Sequence, residues 1–415
     1  MRLLVVGGKL QGTEAAYLGA KAGWEVVLVD RREAPPAAGL AARHVLADIT
    51  ADEDRARALV ASCDAVLPAC EDLATLEWLA ARVEGWGVPL LFDLAAYRVT
   101  QSKAASRELF EQLGVPLPAA WPACGFPAVV KPDVASGSDG VAVVHDEAGL
   151  EQATAALRAA GHEPLVEEYV SGPSLSYEVL AAGGRAEVLQ VTGLEFDAAY
   201  DCKRVVAPVG EVGAGEQPDE VRADGGTAWE RGVQAGTLAA FAGVSARLAE
   251  GLGLRGLMDV EVMVRAGEPL LLEIDARLPS QTPTAVYWSC GLNIVELLHE
   301  TVRRGAPPEV DRAPRRACVY QHVHAHDGLL EVVGEHVMGS TAPLQRLEGF
   351  FGVDEALTDY RRGARAWAAT LIVTGTGADE ARRRADEAVR EMARGAHLDL
   401  VPEADSPADA EATRS

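Results

Sequence analysis

Residues 270–283 read LLLEIDARLPSQTP, an apolar run that passes into Glu273, Asp275 and Arg277, with an ionisable group at every second position. Just upstream, LMDVEVMV (257–264) sets Asp259 and Glu261 in the same alternation. Successive side chains of a strand point to opposite faces. If 257–264 and 269–277 form a hairpin closed by Ala266-Gly267-Glu268, residue 261 stands opposite 273 and 259 opposite 275. Val260, Val262, Leu272 and Ile274 then share one face, and Asp259, Glu261, Glu273, Asp275 and Arg277 share the other. Like charges directly opposite each other destabilise a sheet, so four acids on one small face call for a cation between them. An oxygen-only donor set without His or Cys suits Mg²⁺, which takes one or two carboxylates together with substrate phosphates. A solvated sheet face is the plain alternative, and the apolar runs on both strands, which imply burial beneath that face, argue against it. Carboxylates, Arg277, Mg²⁺ and phosphate together suggest phosphoryl transfer.

The chain of 415 residues is long enough for two or three domains. Its formal net charge of −24 disfavours nucleic acid and anionic membrane surfaces as partners. No apolar run reaches the roughly 18 residues of a membrane span, and MRLLVVGG reads as a buried strand and not as a signal peptide. Six cysteines at positions 63, 70, 124, 202, 290 and 318 show no CxxC spacing, as expected of a cytoplasmic protein with reduced thiols. Only five lysines occur, at 9, 21, 103, 131 and 203, so each is a candidate for a task that needs a compact ammonium.

RLLVVGG (2–8), WEVVLVD (24–30) and AVLPAC (65–70) read as parallel strands of a doubly wound α/β unit ending near residue 95. KAASRELFEQLG (103–114) is an amphipathic helix stopped by Gly114 and Pro116. AVVKP (128–132), the loop SGSDG (136–140) and VAVVHD (141–146) give strand, loop, strand; LVEEYV (165–170) is a further strand and 175–193 a hairpin. Residues 210–236 read as an exposed insertion, GVSARLAEGLG (243–253) as a helix, and 311–402 as a third unit, followed by a disordered tail at 403–415. Lys131 precedes the SGSDG loop, whose backbone N–H groups can approach phosphate, and Lys103 opens a helix near the domain boundary.

The ordered set Lys103, VVKP with Lys131, SGSDG, VEEYVSG (166–172), YEV (177–179), DVEV (259–262) and EIDAR (273–277) resembles the ATP-grasp superfamily. That resemblance implies a three-domain α/β architecture. A Rossmann-like domain at 1–95 precedes a two-lobed ATP-grasp centre at 96–310 and a small α/β domain at 311–402. VGGKLQGTEAAYL (6–18), YDC (200–202), GLMDVE (256–261), EIDARLPSQTPTAVYWSCGLNIVELL (273–298) and GEHVM (334–338) are further similar to the 3-methylornithine–lysine ligases of pyrrolysine biosynthesis. This implies ATP-dependent phosphorylation of the carboxylate of 3-methyl-D-ornithine, then attack by the ε-amine of L-lysine, in a homodimer using ATP and Mg²⁺, two ions.

By the same resemblance, Lys103 and Lys131 match the lysines on the nucleotide phosphates, Ser136 and Ser138 the phosphate loop, and Glu167, Glu168, Tyr169 and Val170 the adenine hinge. Glu261, Glu273 and Asp275 match the metal ligands, and Arg277 the residue that stabilises the acyl phosphate. Ser176, Glu178 and Asp201 match positions for the ammonium groups of the ornithine-like substrate, and Ser280, Gln281 and Thr282 follow Arg277 into the same pocket. Lys9, Gln11 and Glu71 are expected at the amino-acid end of lysine, and Asp259 on the reacting face, where it or the acyl phosphate takes the amine's proton.

Other features point away from competing chemistries. Gly7-Gly8-Lys9-Leu10-Gln11-Gly12 lacks the GxGxxG spacing of a dinucleotide site. His322, His324 and His326 share a strand face without a fourth ligand for zinc. Tyr287, Trp288 and Cys290 read as core. GPS at 172–174 puts Ser174 where many ATP-grasp proteins hold ribose with Glu. The rivals are another ATP-grasp amino-acid or dipeptide ligase, a biotin- or purine-type carboxylase, and a nucleotide-binding regulator without turnover.

Overall fold

The computed structural model describes residues 1–134, 140–209 and 233–403. Four parallel strands open the chain: β1 (Arg2–Val6), β2 (Glu25–Asp30), β3 (Arg43–Leu46) and β4 (Ala65–Pro68), in the order β3-β2-β1-β4. The near-continuous Val and Leu of β1, β2 and β4 are buried on both faces, as a parallel sheet covered by helices requires, while the edge strand β3 leaves Leu46 exposed. The helices are α1 (Leu10–Lys21), α2 (Glu53–Ala61) and α3 (Leu73–Ala80), with α4 (Leu94–Thr100) leading out. Asp30 is buried, and its carboxylate accepts the Gly8 N–H at 2.7 Å. A Cβ on Gly8 would lie 2.9 Å from Pro35. Asp30 and Pro35 therefore close on Gly8 from two sides.

The small lobe is the antiparallel sheet β6-β5-β7, made of β5 (Ala128–Pro132), β6 (Ala142–Val144) and β7 (Pro164–Glu168), with α6 (Glu147–Ala159) packed on it. Helix α5 (Lys103–Leu113) joins it to the large lobe and ends, as its sequence predicts, on Gly114 in the left-handed region. The large sheet holds β8 (Ser174–Ala182), β9 (Arg185–Phe196), β10 (Cys202–Ala207), β11 (Gly256–Arg265) and β12 (Glu268–Asp275). It runs without a break into the C-terminal strands β13 (Ala317–His326), β14 (Leu329–Val332), β15 (Gln345–Glu348), β16 (Glu355–Thr358), β17 (Trp367–Gly375) and β18 (Asp399–Leu400). The path is β12-β11-β8-β9-β10-β13-β17-β16-β15, with β14 and β18 beside β13. Helix α7 (Ala235–Leu252) covers one face of the nucleotide half, α8 (Thr282–Cys290) and α9 (Ile294–Arg304) the other, and α10 (Ala378–Ala396) covers the C-terminal half. Helix α7 begins eight residues before the expected 243 and inside the expected insertion, because the apolar Leu238, Phe241 and Val244 extend its buried stripe. Residues 210–232 of that insertion, Ser136 and Ser138 of the phosphate loop, and 404–415 of the tail lie outside the described residues.

The β11–β12 hairpin keeps the expected pairs Asp259–Asp275 and Glu261–Glu273, but reaches them differently. Its turn has two residues, Ala266 and Gly267, both at positive φ (49° and 85°), and Arg265 pairs with Glu268. A bulge between Glu261 and Val262 then absorbs one extra residue of β12. Leu271, not Leu272, therefore joins Val260, Val262 and Ile274 in the core under α7.

Candidate active site

One face of the large sheet, turned away from α7, carries the acids. Strand β8 lies beside β11, with Glu178 opposite Asp259 and Ser176 opposite Glu261. Glu178, Asp259, Glu261, Glu273 and Asp275 thus occupy three adjacent strands. Two cations answer them. Lys103 Nζ is 2.9 Å from Glu273 Oε1, and Arg277 Nη2 is 2.7 Å from Asp275 Oδ2. The same guanidinium nitrogen reaches Glu71 Oε1 at 2.9 Å. Glu71 also accepts Gln11 Nε2 at 2.9 Å, so the N-terminal unit meets the sheet at Arg277. Lys9, N-terminal to α1, is exposed at this edge.

Asp133 ties the start of α5, and with it Lys103, to the end of β5. Its carboxylate accepts the Ala104 N–H at 2.7 Å and the Ser102 hydroxyl at 3.1 Å, and its backbone carbonyl accepts the Lys103 N–H at 3.1 Å. The first turn of α5 is thereby capped from the end of β5. Lys131, buried on β5, pairs with Glu167 Oε1 at 2.5 Å, and Arg107 of α5 reaches the other oxygen of Glu167 at 3.4 Å. Glu168 accepts the Ala119 N–H and forms an ion pair with Arg265 at the hairpin end, which ties the small lobe to β11. The Tyr169 N–H donates to the Pro127 carbonyl, and Val170 is buried.

The chain after Arg277 turns inward. Ala276 N–H is held by Thr100 Oγ1 at 3.0 Å, and Gln281 sits at φ 71°, ψ −61°, just before α8. Glu14 of α1, buried, accepts the Gln281 N–H at 3.1 Å, the Thr284 hydroxyl at 2.6 Å and the Tyr320 hydroxyl at 3.0 Å. Burial raises its pKa to about 7 against these hydrogen bonds. Glu178 is wholly buried and neither carboxylate oxygen meets a donor at full geometry; Thr282 leans toward it. Burial lifts it to about 7. Burial and acidic neighbours likewise raise Glu261 and Asp275 to about 7 and Asp259 well above the carboxylate range. Asp201 also holds the 334–336 turn through one oxygen: its Oδ2 accepts His336 N–H at 3.0 Å and lies 2.8 Å from His336 Nδ1.

Among the described residues no three acidic, His or Cys side chains converge tightly enough to hold a metal ion as they stand. The donor set nevertheless fits Mg²⁺. It is all oxygen, Asp259 Oδ1 and Asp275 Oδ1 are buried without a partner, and the raised pKa values mark a face short of positive charge. Two residues of this site, Glu14 and Glu335, lie in stretches that resemble the ligase family, VGGKLQGTEAAYL and GEHVM, but carry no role that the sequence assigns. Glu335 lies beside Ser280, Gln281, Asp201 and Arg277, and comes from GEHVM, far along the chain. Of the histidine row, His322 is buried with Nδ1 3.0 Å from Thr370 Oγ1, and burial lowers its pKa to about 3. Tyr287 and Trp288 pack in the core, Trp288 Nε1 donating to Tyr17. All six cysteines are free.

The order of these parts along the chain matches the ATP-grasp domain family over residues 100–281. The 3-methyl-D-ornithine–L-lysine ligase of Methanosarcina barkeri is 37% identical over 340 residues, covering 81% of this chain and 83% of that protein. The chain belongs to this ligase family. The Methanosarcina mazei protein of the same name is 35% identical over 338 residues, 81% of each chain. The ADP complex of an N5-carboxyaminoimidazole ribonucleotide synthetase superposes with a TM-score of 0.66 at 16% identity, covering 95% of this chain and 97% of that one, which shows the shared fold. This member is accordingly an ATP-dependent ligase that forms C–N bonds on the three-unit ATP-grasp scaffold. No helix among the described residues is long and apolar enough to cross a membrane.

Proposed function

We propose that this enzyme joins the carboxylate of 3-methyl-D-ornithine, or a D-ornithine-like acid, to the ε-amine of L-lysine, in pyrrolysine biosynthesis. The observation that carries the reading is the Glu71–Arg277–Asp275 bridge. It supports the reading because one guanidinium joins the acid face of the sheet to Glu71 of the N-terminal unit. The substrate carboxylate oxygen takes the γ-phosphoryl group as the bond from that phosphorus to ADP breaks. The lysine amine then forms the C–N bond, phosphate leaves, and the amine's proton passes to that phosphate or to Asp259. Lys103, Lys131 and the 136–140 loop hold the ATP phosphates, and Glu167 to Val170 the adenine. Arg277 steadies the charge on the acyl phosphate. Glu261, Glu273 and Asp275 would hold Mg²⁺, two ions, which when bound neutralise phosphate charge. Ser176, Glu178 and Asp201, with Ser280, Gln281 and Thr282, line the ornithine end, and Lys9, Gln11 and Glu71 the lysine end. The enzyme works as a cytoplasmic homodimer.

The test is mass spectrometry of a reaction with ATP, Mg²⁺, L-lysine and D-ornithine, following ADP release with each amino acid omitted in turn. A product with the mass of ornithyl-lysine that needs both amino acids is expected. ADP release with a different amino-acid pair, or with formate or bicarbonate alone, would overturn the substrate assignment.

A further inference from the structure

Strand β10 starts beside the segment that follows Arg277. The Cys202 carbonyl accepts Gln281 Nε2 at 3.4 Å, and the Asp201 Oδ2 accepts the His336 N–H at 3.0 Å. The joint between β10 and the 334–336 turn has no slack, because a Cβ on Gly334 would fall 2.0 Å from the Asp201 carboxylate. The next two residues carry charge into the interior: Lys203 is 6% exposed and Arg204 7%. The register between β9 and β10 shifts here, with Cys202 opposite Phe196 and Arg204 opposite Glu195, so Lys203 is the extra residue of a bulge. Beyond it Val205 packs in the core that holds α8, and Val206 in the core under α10. Arg204, in step with Val206, lies on the α10 side, where Asp386 is 3.9 Å from its Nη2.

Both cations converge on one carboxylate from far along the chain. Lys203 Nζ is 2.9 Å from Glu403 Oε2, and Arg204 Nη2 is 2.8 Å from Glu403 Oε1. Arg204 has further anchors in Glu195 at 2.7 Å and the Gln321 side-chain oxygen at 2.6 Å. Among the described residues, Glu403 is the one ion-pair partner of Lys203. The short strand β18 delivers it. β18 pairs in parallel with β14, and the Val401 N–H donates to the Leu330 carbonyl at 3.0 Å. Both residues of β18 are exposed, so its side chains bury little, and the Glu403 fork supplies the inward hold. A buried ammonium that loses its anion is left uncompensated, and relief requires the bulge that carries it to move.

We propose that Glu403 is a positioning residue for the amino-acid pocket. By clamping Lys203 and Arg204 on the far side of the sheet, it fixes the bulge from which Cys202 and Asp201 hold Gln281 and the 334–336 turn. The assignment rests on the reading above, in which Asp201 and Gln281 line the substrate pocket.

Glu403→Gln keeps the shape and removes the charge. It is expected to lower kcat/KM for the amino acids about 10- to 100-fold, as a displaced pocket wall does, while ATP affinity by calorimetry stays unchanged. Amide hydrogen exchange of the substrate-free enzyme should quicken over residues 201–206. Lys203→Met removes the buried charge, and Glu403→Gln in that background should cost less than the two single losses together. This double variant keeps no unpaired ammonium, so it also serves if Glu403→Gln alone does not fold. Unchanged amino-acid kinetics in Glu403→Gln, equal losses for amino acids and ATP, or additive losses in the double variant would each overturn the proposal. If wild type releases ADP with a different amino-acid pair, the substrate reading fails, and the same comparison on that pair decides the role of Glu403.

Discussion

Glu14 and Gln281, 267 positions apart, meet through a 3.1 Å hydrogen bond from the Gln281 N–H to the Glu14 carboxylate. Gln281 sits at positive φ, a conformation that costs a non-glycine residue about 1–3 kcal/mol unless its surroundings hold it. The same carboxylate takes the Thr284 hydroxyl, so a helix of the N-terminal unit sets the first turn of α8 and with it the line Ser280–Gln281–Thr282. The pocket wall therefore depends on a residue that need not touch substrate.

Glu14→Ala leaves three donors without their acceptor, and is expected to cost about 2 kcal/mol of stability and to lower kcat/KM for amino acids more than affinity for ATP. The pH dependence has a sign. The folded pKa, about 7, lies above the ordinary 4.5, so the stability gained by burying the neutral acid is complete below about pH 4.5 and lost as pH rises through 7. The melting-temperature gap between wild type and Glu14→Gln should shrink from pH 5 to pH 8; a gap that widens would contradict this.

Arg277→Ala should lower kcat about 100- to 1000-fold with little change in ATP affinity, as expected of a group that acts on developing charge. Arg277→Lys should recover little, since one guanidinium bridges Glu71 and Asp275 and an ammonium is a point charge. Steady-state kinetics beside ATP-binding calorimetry decides it, and equal losses in both would remove the role.

Glu71→Gln weakens the joint held by Gln11 and Arg277. KM for lysine should rise about tenfold, with D-ornithine less affected. Lysine binding that is unchanged by calorimetry would sink the assignment of this edge to lysine.

Mg²⁺ should raise the melting temperature of the free enzyme through the acid face, and Glu261→Gln should abolish most of that shift. Chelation should stop ADP release by wild type. A Glu261→Gln protein that keeps the full Mg²⁺ shift would place the ion elsewhere.

Away from the site, Arg204 joins Glu195 at 2.7 Å and Glu403 at 2.8 Å, and Lys203 joins Glu403 at 2.9 Å. Burial would raise both acids, but Arg204 with Arg382 outweighs it at Glu195, and Arg204 with Lys203 outweighs it at Glu403, so both pKa values are lowered. Stability from a lowered carboxylate is present above its unfolded pKa and lost as pH falls through the folded one. Glu195→Gln should cost about 3–5 kcal/mol at pH 7, measured by urea unfolding, with the deficit shrinking below about pH 4. A deficit constant with pH would mean that packing and not charge is lost.

The sequence by itself determined the acid face. Alternation of acids against Val and Ile on two neighbouring segments dictates a hairpin with Asp259 facing Asp275 and Glu261 facing Glu273, because a strand has a side-chain period of two. It also determined the parallel core of β1, β2 and β4, the end of α5 at Gly114, and the ordered lysines and acids by which the family is known. Tertiary structure decided the rest. The two-residue turn and the bulge that restores the register depend on which leucine packs under α7, a contact made by residues distant in the chain. The start of α5 with Lys103 is tied to the end of the strand that carries Lys131 because Asp133 caps α5, and no local pattern announces that capping. Glu14 and Glu335 fall in stretches that resemble the family, but their own roles are not legible in the sequence. They become site residues only when α1 and the 334–336 turn fold against the segment that follows Arg277, where burial removes the water that would otherwise solvate their charge.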